Sequence, residues 1–88
     1  MTLLSVLATI TGVFLAGATI PQIIKIFQRK SAKDISPITY FMIVVGAAVW
    51  VLYGLEIKNF PIVLTNVVGI ATAITILLQW HVYGRKKR

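Results

Sequence analysis

Residues 36–55 read SPITYFMIVVGAAVWVLYGL, twenty residues without a charged side chain. A helix of that length rises by about 30 Å, the thickness of the hydrocarbon core of a bilayer. Two further uncharged stretches are at least as long, Thr2–Ile24 before it and Asn59–Trp80 after it. The sequence therefore predicts one domain over residues 1–88, an all-α integral membrane bundle of three transmembrane helices at about 2–28, 37–55 and 60–82.

Composition excludes most other classes of protein. Of the 88 residues, 58% are hydrophobic and only 12% are charged, and the mean hydropathy is +0.89, which is far from a soluble domain. A chain this short cannot close a membrane barrel. It has no cysteine, one histidine and two acidic residues, too few for disulfides, metal sites or acid–base catalysis. We expect no enzyme, no metal and no cofactor.

The basic residues lie at the ends of the uncharged stretches. Because the net charge of +7 is gathered there, it suits a membrane surface and its lipids better than nucleic acid. Lys25–Asp34 holds four Lys or Arg residues and Arg85–Arg88 holds four, against Lys58 alone on the other side. The positive-inside rule predicts a multi-pass protein of the inner (plasma) membrane, with the N-terminus outside and the C-terminus cytoplasmic. The basic tail anchors this topology or binds anionic lipid.

Pro21 interrupts the first predicted helix. Proline has no backbone N–H, so it frees the carbonyl of Gly17 and predicts a hinge or a passive kink. The nearby stretch Ala16–Ala18 is similar to a signal-peptidase site. However, no positive residue precedes it and the apolar run continues to Ile24, which argues against cleavage.

Asn66 and Trp50 stand out inside the predicted helices. Threonine hydroxyls bond to carbonyls of their own helix, whereas the Asn66 amide needs a further partner from another helix, water or a ligand. Trp50 lies five residues before Leu55 and Asn66 five residues after Pro61, so both lie about 8 Å below the same membrane boundary. The structural alternatives are a helix–helix contact for Asn66 and a lipid-facing belt position for Trp50.

An indole and an amide at one depth suit a small polar solute such as a sugar. Ring C–H groups of a sugar stack on the aromatic face and its hydroxyls bond to the amide. Three helices cannot pack together and also enclose a path for such a solute. We therefore expect two copies, related by an axis along the membrane normal, with the Trp50 and Asn66 side chains of both around a central translocation path.

Four short motifs, taken together, carry a resemblance to a known family. They are Thr19-Ile20-Pro21-Gln22, Lys33-Asp34-Ile35-Ser36, Trp50-x-x-Tyr53-Gly54 and Leu64-Thr65-Asn66-Val67-Val68. With these motifs the chain resembles the PQ-loop proteins and, among them, the bacterial half-size sugar transporters called SemiSWEETs. The resemblance implies a parallel homodimer that moves sugar by alternating access without ion coupling.

The resemblance also implies roles for individual residues. Trp50 and Asn66 would line the sugar pocket. The other assignments are Tyr53 in the extracellular gate, Met42 or Phe41 in the intracellular gate, and Pro21 with Gln22 as the hinge of the PQ motif.

The outer gate departs from the family pattern. SemiSWEETs often carry an arginine and an aspartate after the gate tyrosine, at positions where this chain has Ile57 and Asn59. The gate would then use hydrogen bonds of Asn59 or a shifted Glu56–Lys58 ion pair.

The sequence is thus interpreted as a facilitative transporter, a uniporter of a mono- or disaccharide. Its partners would be the sugar, a second copy of itself and membrane lipid. The alternatives are a non-transporting helical adaptor or assembly protein, and a PQ-loop carrier of another small polar solute such as an amino acid.

Overall fold

The computed structural model describes residues 2–84, which form three long helical spans: Leu3–Arg29, Pro37–Glu56 and Phe60–Gly84. Each is long and apolar enough to cross a membrane, and the predicted three-helix membrane fold is confirmed. The elements are α1 (Leu3–Ala16), a 3-10 turn (Gly17–Thr19), α2 (Ile20–Arg29), α3 (Pro37–Glu56), α4 (Phe60–Gln79) and a π-helical turn (Trp80–Gly84).

Each span begins at a side chain that caps its helix. Thr2, Ser36 and Asn59 accept hydrogen bonds from the backbone N–H three residues later, at 3.1, 3.3 and 3.1 Å. Proline follows in the first turn of α3 and of α4, where its missing N–H leaves no hydrogen bond unmade. These caps satisfy helix-end donors that hydrocarbon could not satisfy.

The first span is divided rather than continuous. Gly17–Thr19 adopts 3-10 geometry, and α2 then begins with Pro21 in its first turn. Because Pro21 cannot donate to the carbonyl of Gly17, that carbonyl accepts from the N–H of Ile20 instead. The missing donor is the physical reason for the change of helix type.

Polar side chains of the third span meet the backbone of the first on both sides of this break. The hydroxyl of Thr72 lies 3.4 Å from the carbonyl oxygen of Ala16, and Gln79 Nε2 donates to the carbonyl of Ile23 at 2.9 Å. Both pairs are 56 residues apart. The two spans therefore run parallel in a constant register.

The three spans form a flat slab with the third span in the middle. α4 packs against α1 and α2 on one edge and against α3 on the other. The bundle measures 49 × 21 × 13 Å and is therefore flattened, with two broad faces.

Tight packing is concentrated at the end that carries Lys25 and Arg29, here called the basic end. Ile26 and Ile76 are fully buried there. Ala32 and Ile35, from the loop between the first two spans, complete the buried cluster. Partly buried neighbours surround it: Ile23, Tyr40, Trp80 and Tyr83. Most large apolar side chains elsewhere in residues 2–84 are exposed, as expected for helices that meet lipid or another subunit.

Two glycines of α3 allow a matched test of how α3 packs on α4. A Cβ on Gly54 would lie 2.8 Å from Val63 Cγ2 and 3.2 Å from the Val63 backbone nitrogen, whereas one on Gly46 would meet nothing within 4 Å. Gly54→Ala should lower the free energy of unfolding by about 1–3 kcal/mol through overpacking. Gly46→Ala should be neutral, or stabilising by up to about 1 kcal/mol.

The measurement is denaturant unfolding of both alanine variants in detergent beside the unsubstituted protein. The two variants have the same substitution in the same helix, so helix propensity cancels between them. Equal shifts in the unfolding midpoint would contradict the contact between Gly54 and Val63.

Candidate functional site

Trp50 lies on the exposed surface of α3, where it is 53% exposed. Its ring meets that of Tyr53 edge-on, with centroids 5.7 Å apart and an interplanar angle of 84°. These two residues and Val49 line a groove of about 390 Å³. Tyr53 thus holds the indole from one side, and much of the Trp50 surface stays available to a ligand or a second subunit.

Asn66 lies on α4 and is half-buried. Its Nδ2 donates to the carbonyl of Ile62 at 2.8 Å. The backbone of its own helix therefore satisfies one N–H of this amide, and the remaining bonding capacity is what needs a further partner. Among residues 2–84 no hydrogen bond reaches Asn66 Oδ1. The acceptor end of the amide is the end that remains open to a ligand.

Trp50 and Asn66 lie at the same level of the slab. The contact of Gly54 with Val63 fixes the register of these antiparallel helices. Counting four residues back along α3 and three forward along α4 brings Trp50 level with Asn66.

The two residues also turn to the same broad face. An apolar groove on one broad face is lined by Ala48, Val51, Leu52, Val67, Ile70 and Ala71. Angles are measured from the contacting pair Gly54 and Val63 at about 100° per residue. Trp50 then lies about 40° to one side on α3 and Asn66 about 60° to the same side on α4, whereas the groove residues Val51 and Val67 lie about 60° and about 40° to the other side. Both residues therefore turn away from this groove, toward the opposite face of the slab.

The two candidates for the intracellular gate lie on different surfaces. Phe41 is 62% and Met42 66% exposed. Phe41 lines a groove of about 380 Å³ with Pro37, Ile38, Leu77, Trp80 and His81. Met42 lines no part of it, because adjacent helical residues are about 100° apart.

At the opposite end of the slab, Asn59 caps α4. Its Oδ1 accepts from the N–H of Ile62 at 3.1 Å, and its Nδ2 has no partner in residues 2–84 and can act in a gate. The turn before it uses Lys58 in the left-handed region, with φ of 55°. Glu56 and Lys58 form no ion pair within one chain, since the single ion pair in residues 2–84 joins Arg29 and Asp34.

Gln22 of the PQ motif has a partner that the sequence argument missed. The hydroxyl of Tyr40, in the first turn of α3, donates to Gln22 Oε1 at 2.9 Å. This bond connects the first and second spans directly below the helix break. The sequence signal that could have predicted this bond is a tyrosine at the start of the second span, near the membrane depth of the glutamine in the first span.

Gln79 is a second functional candidate that the sequence argument overlooked. An amide inside an uncharged stretch has the same unmet bonding needs as Asn66. Its Nε2 bonds to Ile23, whereas its Oε1 is buried without a partner in the described part of the chain. By contrast, five threonines bond to their own helix as expected, whereas the Thr19 hydroxyl is buried without a partner in the described part of the chain. The five are Thr9, Thr11, Thr65, Thr72 and Thr75.

Comparisons with known proteins identify the family of this chain. Residues 2–88 match the model of a family described as a sugar efflux transporter for intercellular exchange. The sugar transporter SemiSWEET of Bradyrhizobium diazoefficiens is 38% identical over 64 residues, 73% of this chain and 74% of that protein. That of Escherichia coli is 30% identical over 82 residues, 89% of this chain and 92% of that protein.

A solved structure has the same fold. The crystal structure of a bacterial homologue of SWEET transporters is 31% identical and superimposes with a TM-score of 0.88, over 94% of this chain and 100% of that chain. At this identity and coverage the likeness extends from the fold to the family. The chain belongs to the SemiSWEET group of the sugar efflux transporter family.

Proposed function

We propose that this membrane protein is a uniporter that lets a mono- or disaccharide cross the inner membrane down its gradient. The observation that carries the proposal is the pairing of Trp50 with Asn66 at one level on one broad face of the slab. The indole offers a flat apolar surface to sugar C–H groups, and Oδ1 of the amide offers an acceptor to sugar hydroxyls. The sugar transporters among its relatives support the choice of substrate.

A second copy of the chain completes the path. Because the three spans lie side by side in a flattened slab, a single chain cannot surround a sugar. Two parallel copies that pair through the broad face carrying Trp50 and Asn66 enclose a central path between them. The exposed apolar side chains of the spans then divide between the subunit interface and lipid.

The cycle alternates between openings at the two ends of this path. Tyr53 and Asn59 close the outer end, and Met42 or Phe41 closes the inner end. The 3-10 turn before Pro21 and the bond from Tyr40 to Gln22 are where the first span bends. The basic end faces the cytoplasm and the N-terminus lies outside, by the distribution of Lys and Arg.

The testing experiment is uptake of radiolabelled glucose and sucrose into proteoliposomes. Uptake of one or both should saturate in the millimolar range, equivalent to about −4 kcal/mol of binding free energy, since both gates must allow release. A proton gradient should leave the rate unchanged, because the carboxylates Asp34 and Glu56 lie outside the uncharged stretches and cannot carry a proton through the path.

Empty liposomes and an imposed inward or outward gradient are the controls. A rate that rises with an inward proton gradient would refute the uniport mechanism. The absence of saturable uptake of either sugar by a folded dimer would favour an adaptor or a carrier of another solute.

A further inference from the structure

A polar groove of about 390 Å³ lies at the basic end, below the helix break. Four of its six lining residues have polar or charged side chains, and the complete lining is Ala18, Pro21, Gln22, Lys25, Arg29 and Asp34. The function proposed above uses none of the three charged residues. The groove is therefore a candidate for a separate role.

The cationic lining follows one stripe of the first span. Gln22, Lys25 and Arg29 are spaced by three and four residues, which places them on one side of α2. The side of α2 that is turned away carries exposed apolar residues, among them Ile20 and Ile24. Since hydrocarbon excludes amide and ammonium groups, the apolar side faces lipid and the polar stripe faces water.

Hydrogen-bond donors converge on this groove. Gln22 Oε1 accepts from Tyr40, so its Nε2 is the end available to the groove, with no partner in residues 2–84. Lys25 has no ion-pair partner in the same range. Arg29 lies 3.8 Å from Asp34, and both side chains are more than half exposed, so this pairing is loose and leaves guanidinium N–H groups available.

We propose that this groove binds a phosphate group, with Lys25 and Arg29 as its cationic ligands and Gln22 as a neutral donor. Guanidinium and ammonium groups make charge-assisted hydrogen bonds to phosphate oxygens, and two cations outweigh the single carboxylate of Asp34. A soluble phosphate ester, such as a sugar phosphate, and the headgroup of an anionic lipid share this chemistry. The proposal goes beyond sugar transport, and binding can be measured without any transport.

The test is a phosphorus NMR titration of glucose 6-phosphate with the full-length protein in nanodiscs of phosphatidylcholine. Saturable binding is expected, and Lys25→Gln should weaken it at least 5-fold. Lys33→Gln is the matched control: it removes the same charge from the same end of the molecule, but Lys33 does not line the groove. Asp34→Asn should strengthen binding, because it removes the competing carboxylate.

A parallel titration in nanodiscs that contain phosphatidylglycerol separates the two sources of phosphate. If the lipid is the natural occupant, it should weaken glucose 6-phosphate binding to the unsubstituted protein much more than to Lys25→Gln. If it has no such effect, a soluble ester is the occupant, and either result supports the site. Equal weakening by Lys25→Gln and Lys33→Gln, or no saturable binding in either bilayer, would overturn it.

Discussion

Replacing Trp50 by alanine is expected to lower sugar uptake by about 10- to 100-fold, equivalent to the loss of about 1.4–2.8 kcal/mol of binding. The indole is the apolar surface on which the sugar ring stacks, and alanine offers no replacement. Folding should be almost unaffected, because Trp50 is 53% exposed and its removal leaves no cavity in the chain. Uptake into proteoliposomes and thermal unfolding of the same preparation measure the two effects.

Leu52→Ala is the matched control for this variant. Leu52 is 67% exposed on the same helix, but it lies in the apolar groove of the other broad face. It should retain uptake close to that of the unsubstituted protein. If both variants instead show the same small loss of uptake, Trp50 is a lipid-facing residue of the aromatic belt and does not bind sugar.

Asn66→Ala is expected to lower uptake by about 5- to 150-fold, because a hydrogen bond to a sugar hydroxyl contributes about 1–3 kcal/mol where water is excluded. The open Oδ1 is the acceptor that alanine removes. The lost bond from Nδ2 to Ile62 has little structural cost, since that carbonyl lies in a regular helix and keeps its backbone donor. Uptake and the dimer fraction, measured by crosslinking in the bilayer, distinguish the two roles of this amide.

Thr65→Val supplies the control. The Thr65 hydroxyl also bonds to the Ile62 carbonyl, at 3.3 Å, and valine keeps the shape of the side chain. This variant should therefore transport normally. If Asn66 serves only to hold helices together, Asn66→Ala will lose the dimer rather than slow transport in an intact one.

The spans were predictable from sequence because length and charge set them almost alone. A run such as residues 36–55 admits one structure in a bilayer, and Pro21 locates the helix break through its missing donor. The order of the spans across the slab was not predictable. It depends on side-chain shapes, such as the close approach of Val63 to Gly54, and hydropathy does not encode these.

The candidate site was predictable in part. Counting residues from the helix ends predicted one level for Trp50 and Asn66, because the rise per residue of a helix is constant. The partner of Gln22 was not predicted, because the bond to Tyr40 crosses 18 residues of sequence and depends on how the loop between the spans folds. The bond of Asn66 to its own helix is local in sequence, yet it was not predictable either. It depends on a side-chain torsion angle, which the position in the sequence does not determine.

The second and third spans are packed together along their length as far as the contact of Gly54 with Val63, so a rotation at the basic end would carry them as one rigid arm with its fulcrum at Tyr40. From Tyr40 to Glu56 the helix extends 16 residues, an arm of about 24 Å. A rotation of about 5° at the fulcrum would move the far tip by about 2 Å, from the length of that arm. The amplification is geometric, so a side-chain adjustment too small to disturb the packed end can change the width of an opening at the other.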